Sequence, residues 1–172
     1  MKYTFKVGIL TISDTRSVNN QHNDESGDTI ADMASGMGYR IAVRQTVSDN
    51  ANIIAKVLTE WADGGEVDLI LTTGGTGLGP RDVTPEATKN VLDIEIPGIG
   101  EAMRMETFKQ TTLSILSRST AGVRSGCLII NLPGSPRGVR ECLPIVVNSI
   151  PHALEMIRGW KTHEENPSHG PP

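Results

Sequence analysis

The sequence has little cysteine and lacks long apolar runs. Its two cysteines, Cys127 and Cys142, do not make a disulfide framework, and their spacing matches no zinc pattern. We expect both to be reduced thiols that pack like small hydrophobic side chains. No segment approaches the roughly 18 consecutive apolar residues of a membrane span. The N-terminus carries no signal segment, so a soluble, cytoplasmic protein without a membrane partner is expected.

The chain also lacks a basic excess. Sixteen Lys and Arg residues stand against 20 Asp and Glu, for a net charge of −4 over 172 residues. Nucleic-acid-binding domains usually carry a basic surface, so a nucleic-acid partner is disfavoured. The four histidines show no metal-ligand spacing. A length of this kind fits one domain, since domains usually span about 100–200 residues.

Short apolar runs rich in β-branched residues predict three buried strands, over residues 7–12, 67–72 and 127–131. Their near-continuous hydrophobicity is typical of a parallel sheet that is covered on both faces. Residues 40–47 alternate between apolar and polar side chains instead, which indicates an edge strand.

Helical patterns lie between these strands. Apolar residues recur at helical spacing over residues 27–37 and 50–62, which predicts two amphipathic helices. Alternation of strands and helices predicts a doubly wound α/β fold, with a mostly parallel sheet and helices on both faces. We expect a single domain over residues 1–159. Residues 160–172 are rich in Gly, Pro, His and Glu and are expected to form a disordered tail.

Two further helices have clear start signals. Thr84 and Ser135 each precede a proline, so both are predicted to be N-caps. The second of these helices is expected to run over roughly 138–158 and to break or kink at Pro144 and Pro151.

Polar or glycine-rich turns follow the predicted strands. Ligands of open α/β sheets bind beyond the carboxyl ends of the strands, so we expect these turns to share one rim. Ser13 and Asp14 follow the first strand and open a long polar loop over 14–26. The turn 73–79 follows the second run, and 132–138 follows the third.

The turn 73–79 is the strongest candidate for binding an anion. Its glycines would let backbone N–H groups converge on a phosphate. It lacks the Gly-Lys-Ser/Thr ending of a Walker loop, so a plain strand-to-helix turn is an alternative. Arg81 and Asp82 follow directly, and a predicted helix begins at Thr84, which favours phosphate binding.

Several candidate residues have simpler interpretations. Asp49 follows a strand and precedes a helix, so it is also a candidate N-cap. Asp14 and Asp24 could be Asx-turn residues. Ser26 could be an ordinary N-cap.

Two motifs further along the chain also have simpler interpretations. Glu101 and Arg104 have the i, i+3 spacing of a surface ion pair on a helix that starts near Pro97. The polar segment 117–119 could be a solvated loop.

The motifs together resemble one family. Thr73–Gly77 and Arg81–Thr88 resemble the signature of the molybdopterin adenylyltransferases, the MogA/MoaB-like group that includes the N-terminal domain of gephyrin. Further agreement covers five segments, 11–14, 24–27, 97–104, 116–122 and 131–136. The resemblance extends over roughly residues 5–158.

This resemblance implies a doubly wound α/β fold that assembles as a homotrimer, or as a hexamer in some members. It implies Mg²⁺-dependent transfer of AMP from ATP to the phosphate of molybdopterin, with release of pyrophosphate. A downstream molybdenum-insertion enzyme would then take the product. The essential acids of the family correspond to Asp49 and Asp82, which are also the expected metal ligands.

The resemblance extends to binding residues. Those expected to bind nucleotide and phosphate are Ser13, Asp14, Ser26, Gly74, Gly75, Thr76 and Gly77. Those expected to bind the pterin substrate are Arg81, Thr84, Glu101, Ser117, Arg118, Pro133, Gly134 and Ser135.

Two other functions stay open from the sequence. A non-catalytic carrier or scaffold of the same fold would hold molybdopterin or its adenylate without making it. A generic nucleotide-binding module would bind ATP with no preference for a pterin. Members that have lost the transferase activity lack the Arg-Asp-Val-Thr pattern, which this chain retains at residues 81–84.

Overall fold

The structure is a computed structural model that describes residues 4–18 and 23–159. The disordered tail predicted for 160–172 lies outside these residues. Within the described ranges, no helix has the length and apolar character that crossing a membrane requires.

A six-stranded sheet forms the centre of the fold, in the order β2-β1-β3-β6-β5-β4. The strands are β1 (Lys6–Ile12), β2 (Arg40–Val47), β3 (Leu69–Thr73), β4 (Ile94–Glu95), β5 (Ala121–Arg124) and β6 (Cys127–Leu132). Neighbours among β2, β1, β3 and β6 run parallel, whereas β5 is antiparallel to β6 and β4 to β5. The predicted mostly parallel α/β sheet is confirmed, and β2 is an edge strand as its alternation indicates.

The strands β4 and β5 were not predicted. They are two and four residues long, too short for a periodic pattern. A tight turn joins β5 to β6, where Ser125 and Gly126 adopt φ angles of 46° and 80°. This hairpin explains why the sheet is not wholly parallel.

Helices follow most strands. They are α1 (Asp14–Val18), α2 (Glu25–Gly36), α3 (Ala51–Asp63), α4 (Thr84–Lys89), α5 (Pro97–Phe108), α6 (Pro136–Val146) and α7 (Ile150–Ile157), with a 3₁₀ helix at Thr112–Leu116. The polar loop expected over 14–26 therefore begins with a short helix. The final helix predicted over 138–158 is two helices. Pro144 lies inside α6 without ending it. The helical structure is interrupted between Val146 and Ile150, and Pro151 lies in the first turn of α7.

The core has two layers, one on each face of the sheet. Ile9, Leu71 and Ile130 point to the layer that packs against α2, α5, α6 and α7. The residues next to them in sequence point to the opposite layer, against α3 and α4. The alternation of side chains along a strand fills both layers, which is why these strands appear as continuous apolar runs. Both cysteines are buried and unpaired, as expected.

Candidate functional site

The turns after β3 and β6 meet at one rim of the sheet. The Thr73 hydroxyl donates to the carbonyl oxygen of Pro133 at 2.7 Å. The backbone N–H of Gly74 donates to the carbonyl of Leu132 at 3.4 Å. A Cβ at Gly74 would lie 2.3 Å from the carbonyl oxygen of Ile12, at the end of β1. The structure therefore brings the three turns together, and only glycine fits where they meet.

Thr84 holds the glycine-rich turn through two hydrogen bonds. Gly74 and Gly75 have φ angles of 105° and 65°, which turn the chain sharply at the end of β3. The Thr84 hydroxyl donates to the carbonyl of Gly74 at 2.8 Å, and its N–H donates to the carbonyl of Gly75 at 3.1 Å. Thr84 was predicted to be an N-cap, but Val83 takes that position without a side-chain bond. The Thr84 side chain is fully buried, where its hydroxyl fixes the loop.

The side-chain carboxylates of Asp14 and Asp49 each accept a hydrogen bond from the backbone N–H of the other residue. The N–H of Asp14 donates to Oδ2 of Asp49 at 2.8 Å, and the N–H of Asp49 donates to Oδ1 of Asp14 at 2.9 Å. The N-cap of α3 is Asn50 rather than Asp49, because the Asn50 side chain accepts the free N–H groups of the first turn. Arg81 reaches across to form an ion pair with Asp14.

Asp82 lies close enough to Asp49 for the two charges to interact. Partial burial raises the pKa of Asp49 above its ordinary value, and the negative charge of Asp82 raises that pKa further. Oδ1 of Asp49 also faces the loop, 3.6 Å from the position of a Cβ at Gly75. Two carboxylates that repel each other at the end of a sheet are a typical arrangement for binding a cation.

The turn 77–82 folds around the Asp82 carboxylate. Oδ2 of Asp82 accepts the N–H of Gly79 at 2.8 Å. A Cβ at Gly77 would lie 2.9 Å from this oxygen, so a side chain there would displace the carboxylate. The small residues of the turn therefore make room for Asp82.

Two cavities lie on either side of the glycine-rich loop. A polar cavity of about 640 Å³ is lined by Ser13, Thr15, Asp49, Gly74, Gly75 and Gly134, among others. A more apolar cavity of about 520 Å³ is lined by Gly77, Leu78, Met103, Leu116, Ser117 and Pro133, among others. Sequence analysis did not identify Thr15 or the apolar lining from α5 and the 3₁₀ helix. The available sequence signal for the second cavity was the apolar pair Leu113 and Leu116 within a polar segment.

Ser26 and Asp24 have different roles at the start of α2 from those expected. Asp24 is the N-cap of α2, accepting the N–H of Gly27 at 3.0 Å and the Thr11 hydroxyl at 2.6 Å. The interpretations of Ser26 as N-cap and of Asp24 as a simple Asx-turn residue are therefore wrong. The Ser26 hydroxyl is buried and donates to Oδ1 of Asp24 at 3.3 Å, so it supports the start of the helix. Asn23 and Glu25, on either side of Asp24, line the polar cavity.

Glu101 and Arg104 do not share the expected role. Arg104 donates to the carbonyl oxygens of Ser117 and Ser119, at 3.2 and 3.0 Å, rather than serving as a surface partner of Glu101. Glu101 is exposed and lines another depression, together with Arg104 and Phe108.

The segment 117–119 is not a solvated loop. Ser119 is buried, and Ser117 lines the apolar cavity. Arg118 lies over the glycine-rich loop, where its Nε donates to the carbonyl of Gly77 at 2.8 Å. Ser135 caps α6 as predicted, accepting the N–H of Gly138 at 3.0 Å.

The donor set of this rim fits magnesium better than zinc. Among the described residues, no group of three or more His, Cys, Asp and Glu side chains could hold a metal ion. Mg²⁺ commonly uses one or two carboxylates and completes its coordination with water and substrate phosphates. Asp49 and Asp82, whose charges interact, fit that pattern as two carboxylate donors.

Comparison with known proteins identifies relatives over most of the chain. The model of the MoCF_biosynth family, described as a probable molybdopterin binding domain, matches residues 8–152. A molybdopterin adenylyltransferase of Helicobacter pylori strain J99 is 42% identical, over 95% of this chain and 94% of the relative. The molybdopterin adenylyltransferase of Escherichia coli K12 is 33% identical, over 91% and 87% of the two chains.

A solved structure has the same fold. The crystal structure of the molybdopterin biosynthesis enzyme MoaB from Thermus thermophilus aligns with a TM-score of 0.84 at 47% sequence identity. The alignment covers 92% of this chain and all of that one.

Proposed function

The chain belongs to the MoCF_biosynth family of probable molybdopterin-binding domains, and on that premise we propose that it is a molybdopterin adenylyltransferase. It would transfer AMP from ATP to the phosphate of molybdopterin in a Mg²⁺-dependent reaction that releases pyrophosphate. Relatives 33–42% identical carry that name, which supports an enzyme over a binding protein.

The observation that carries this proposal is one loop that serves two cavities. Gly74 and Gly75 line the polar cavity, and Thr76 and Gly77 line the more apolar one. The polar cavity suits a nucleoside triphosphate, and the apolar cavity suits a flat heterocycle such as a pterin. A loop between them holds the reacting phosphates of both substrates, as a transferase needs.

The chemistry requires little more than positioning and charge neutralisation. The nucleophile is an oxygen of the molybdopterin phosphate, already ionised at neutral pH, so no side chain need remove a proton. That oxygen forms a bond to the α-phosphorus of ATP while the bond from this phosphorus to the bridging oxygen breaks. The electron pair leaves with pyrophosphate, and adenylyl-molybdopterin is the product.

The residues of the rim would divide this work. The N–H groups of Gly74, Gly75 and Thr76 would donate to phosphate oxygens. Asp49 and Asp82 would hold Mg²⁺, which when bound neutralises charge on the departing pyrophosphate. Arg81 is 69% exposed beside Asp14, where it could also contact a phosphate.

Assembly and product transfer belong to the same proposal. We propose a homotrimer, or a hexamer, that passes its product to a molybdenum-insertion enzyme. Exposed apolar side chains on α5 and the 3₁₀ helix support self-association, since Met105 and Leu113 are both 70% exposed. Light scattering coupled to size exclusion would give the subunit number.

One assay separates the enzyme from a carrier of the same fold. Purified protein is mixed with Mg-ATP and molybdopterin, and adenylyl-molybdopterin is followed by chromatography. The proposal expects product that disappears when Mg²⁺ is chelated. Tight molybdopterin binding without AMP transfer would identify a carrier, and ATP binding without pterin preference would identify a generic nucleotide-binding module.

A further inference from the structure

Arg118 makes four polar contacts, two with the glycine-rich turn and two with the residues that follow it. Its backbone N–H donates to the carbonyl of Thr76 at 2.9 Å, and Nε donates to the carbonyl of Gly77 at 2.8 Å. One terminal nitrogen donates to the carbonyl of Asp82, and the other pairs with the Glu86 carboxylate on α4. A single side chain thus joins both ends of the turn 77–82 to the helix that follows.

The turn has little packing of its own. Leu78 is 65% exposed, and Gly79, Pro80 and Arg81 are exposed as well. Inside the turn, the Gly79 N–H bonds to the Asp82 carboxylate, and the Asp82 N–H bonds to the Gly79 carbonyl at 3.0 Å. Because these residues are exposed, the turn is held mainly by polar contacts: its internal hydrogen bonds, the ion pair of Arg81 with Asp14, and the contacts of Arg118 with its two ends.

Arg118 is itself held in place by a second arginine. Arg104 donates to the carbonyl oxygens of Ser117 and Ser119, the residues on either side of Arg118. The backbone that carries Arg118 is therefore fixed to α5, so the guanidinium has a rigid base from which to hold the loop.

We propose that Arg118 is a positioning residue that fixes the turn 77–82 and thereby the direction of the Asp82 carboxylate. The inference rests on the proposed function for its consequence in catalysis, but its geometric part concerns the protein alone. It differs from the direct substrate contact that the resemblance predicts for Arg118. A guanidinium can reach both carbonyl oxygens at once because its donors form a planar fork, whereas the single ammonium of lysine cannot bridge them in this way.

The test compares Arg118→Lys with wild type, without ligand, by hydrogen–deuterium exchange. We expect the amides of Gly79 and Asp82 to be protected in wild type and to exchange about 10-fold faster in the variant. Amides of β6 should be unchanged. Unprotected amides in the wild-type turn, or equal exchange in both proteins, would overturn the proposal. If the lysine variant does not fold, Glu86→Gln takes its place, and unprotected wild-type amides still overturn the proposal.

Steady-state kinetics separates positioning from substrate contact. Arg118→Lys should lower kcat by about 10–100-fold, as losses of outer-shell partners do, with KM for molybdopterin within threefold of wild type. Glu86→Gln is the matched variant, since it removes the ion pair and keeps both carbonyl contacts, and it should change kcat by less than threefold. A raised KM with unchanged kcat would show a substrate contact instead. If wild type transfers no AMP, the proposed function fails, and the exchange experiment still tests the turn.

Discussion

The backbone N–H of Asp14 donates to the Asp49 carboxylate, and the backbone N–H of Asp49 donates to the Asp14 carboxylate, at 2.8 and 2.9 Å. The two residues are 35 positions apart, at the ends of the neighbouring strands β1 and β2. This reciprocal pair turns the Asp49 carboxylate toward the glycine-rich loop, where it meets the charge of Asp82. Asp14 and Asp49 therefore form one hydrogen-bonded unit, within range of the charge of Asp82.

Replacing Asp82 by Asn should preserve the fold and remove most of the activity. The amide can still accept the Gly79 N–H but lacks the charge that a Mg²⁺ ligand supplies. Turnover should fall by about 100-fold or more, beyond the 10–100-fold typical of outer-shell partners. Asp32→Asn, at an exposed position on α2, is the control and should match wild type. Activity of Asp82→Asn within about threefold of wild type would show that the metal assignment is wrong.

Asp49→Asn should make the ligand-free protein more stable and inactive. Burial and Asp82 raise the pKa of Asp49 in the folded state. The folded protein therefore binds this proton more tightly than the unfolded chain, and stability falls as pH rises from the unfolded pKa through the raised one. At neutral pH wild type carries the whole penalty, which the neutral amide lacks.

Urea unfolding at several pH values checks this sign. The difference in free energy of unfolding between Asp49→Asn and wild type should favour the variant at pH 7 and shrink toward pH 4. A variant that is less stable than wild type at pH 7 would contradict the account.

Much of the fold could be predicted from the sequence because each buried strand fills both core layers. That requirement produces the apolar runs at β1, β3 and β6, and each predicted run falls within two residues of the observed strand. The hairpin of β5 and β6 was missed because β5 depends on its neighbour and on a turn at Ser125, not on a pattern of its own. The break expected near Pro151 was found, whereas Pro144 lies inside α6 without ending it.

Gly75→Ala should be destabilising, and Gly36→Ala should not. Gly75 has φ of 65°, a conformation that costs a non-glycine residue roughly 1–2 kcal/mol. Its new Cβ would also lie 2.3 Å from the Thr84 hydroxyl oxygen. Gly36 lies at the end of α2 with no atom within 4 Å of a Cβ, where alanine should stabilise the helix by up to about 1 kcal/mol.

Thermal unfolding of the two glycine variants provides the comparison. Tm should fall for Gly75→Ala and should stay level or rise for Gly36→Ala. Equal Tm values for Gly75→Ala and wild type would mean that the loop does not have the conformation described.

Both thiols should resist modification in the folded protein. Burial raises the pKa of Cys127 to about 12 and that of Cys142 to about 11. Because the thiolate is the reactive form, roughly one Cys127 in ten thousand would be reactive at pH 8. A colorimetric thiol reagent should label neither cysteine within minutes in buffer and both in denaturant. Rapid labelling of Cys142 in buffer would show that its thiol is not buried as the structure has it.

The candidate site was less accessible to sequence reasoning than the fold. The glycines and acids that follow the strands identified the loop. The side chains of Thr84, Ser26 and Arg118, however, form hydrogen bonds with other residues of the protein, which residue type alone does not indicate. Glu101 faces a different depression because the helix that carries it turns that side chain outward. Such distinctions depend on the three-dimensional path of the loops.

The most direct measurement follows the phosphorus atoms of ATP. Wild-type protein is incubated with Mg²⁺, molybdopterin and ATP labelled with ³²P at either the α or the γ position. The account predicts α-label in the pterin product and γ-label in pyrophosphate. Label from the γ position in the pterin product, or no label from the α position with active molybdopterin present, would contradict the proposed transfer of AMP.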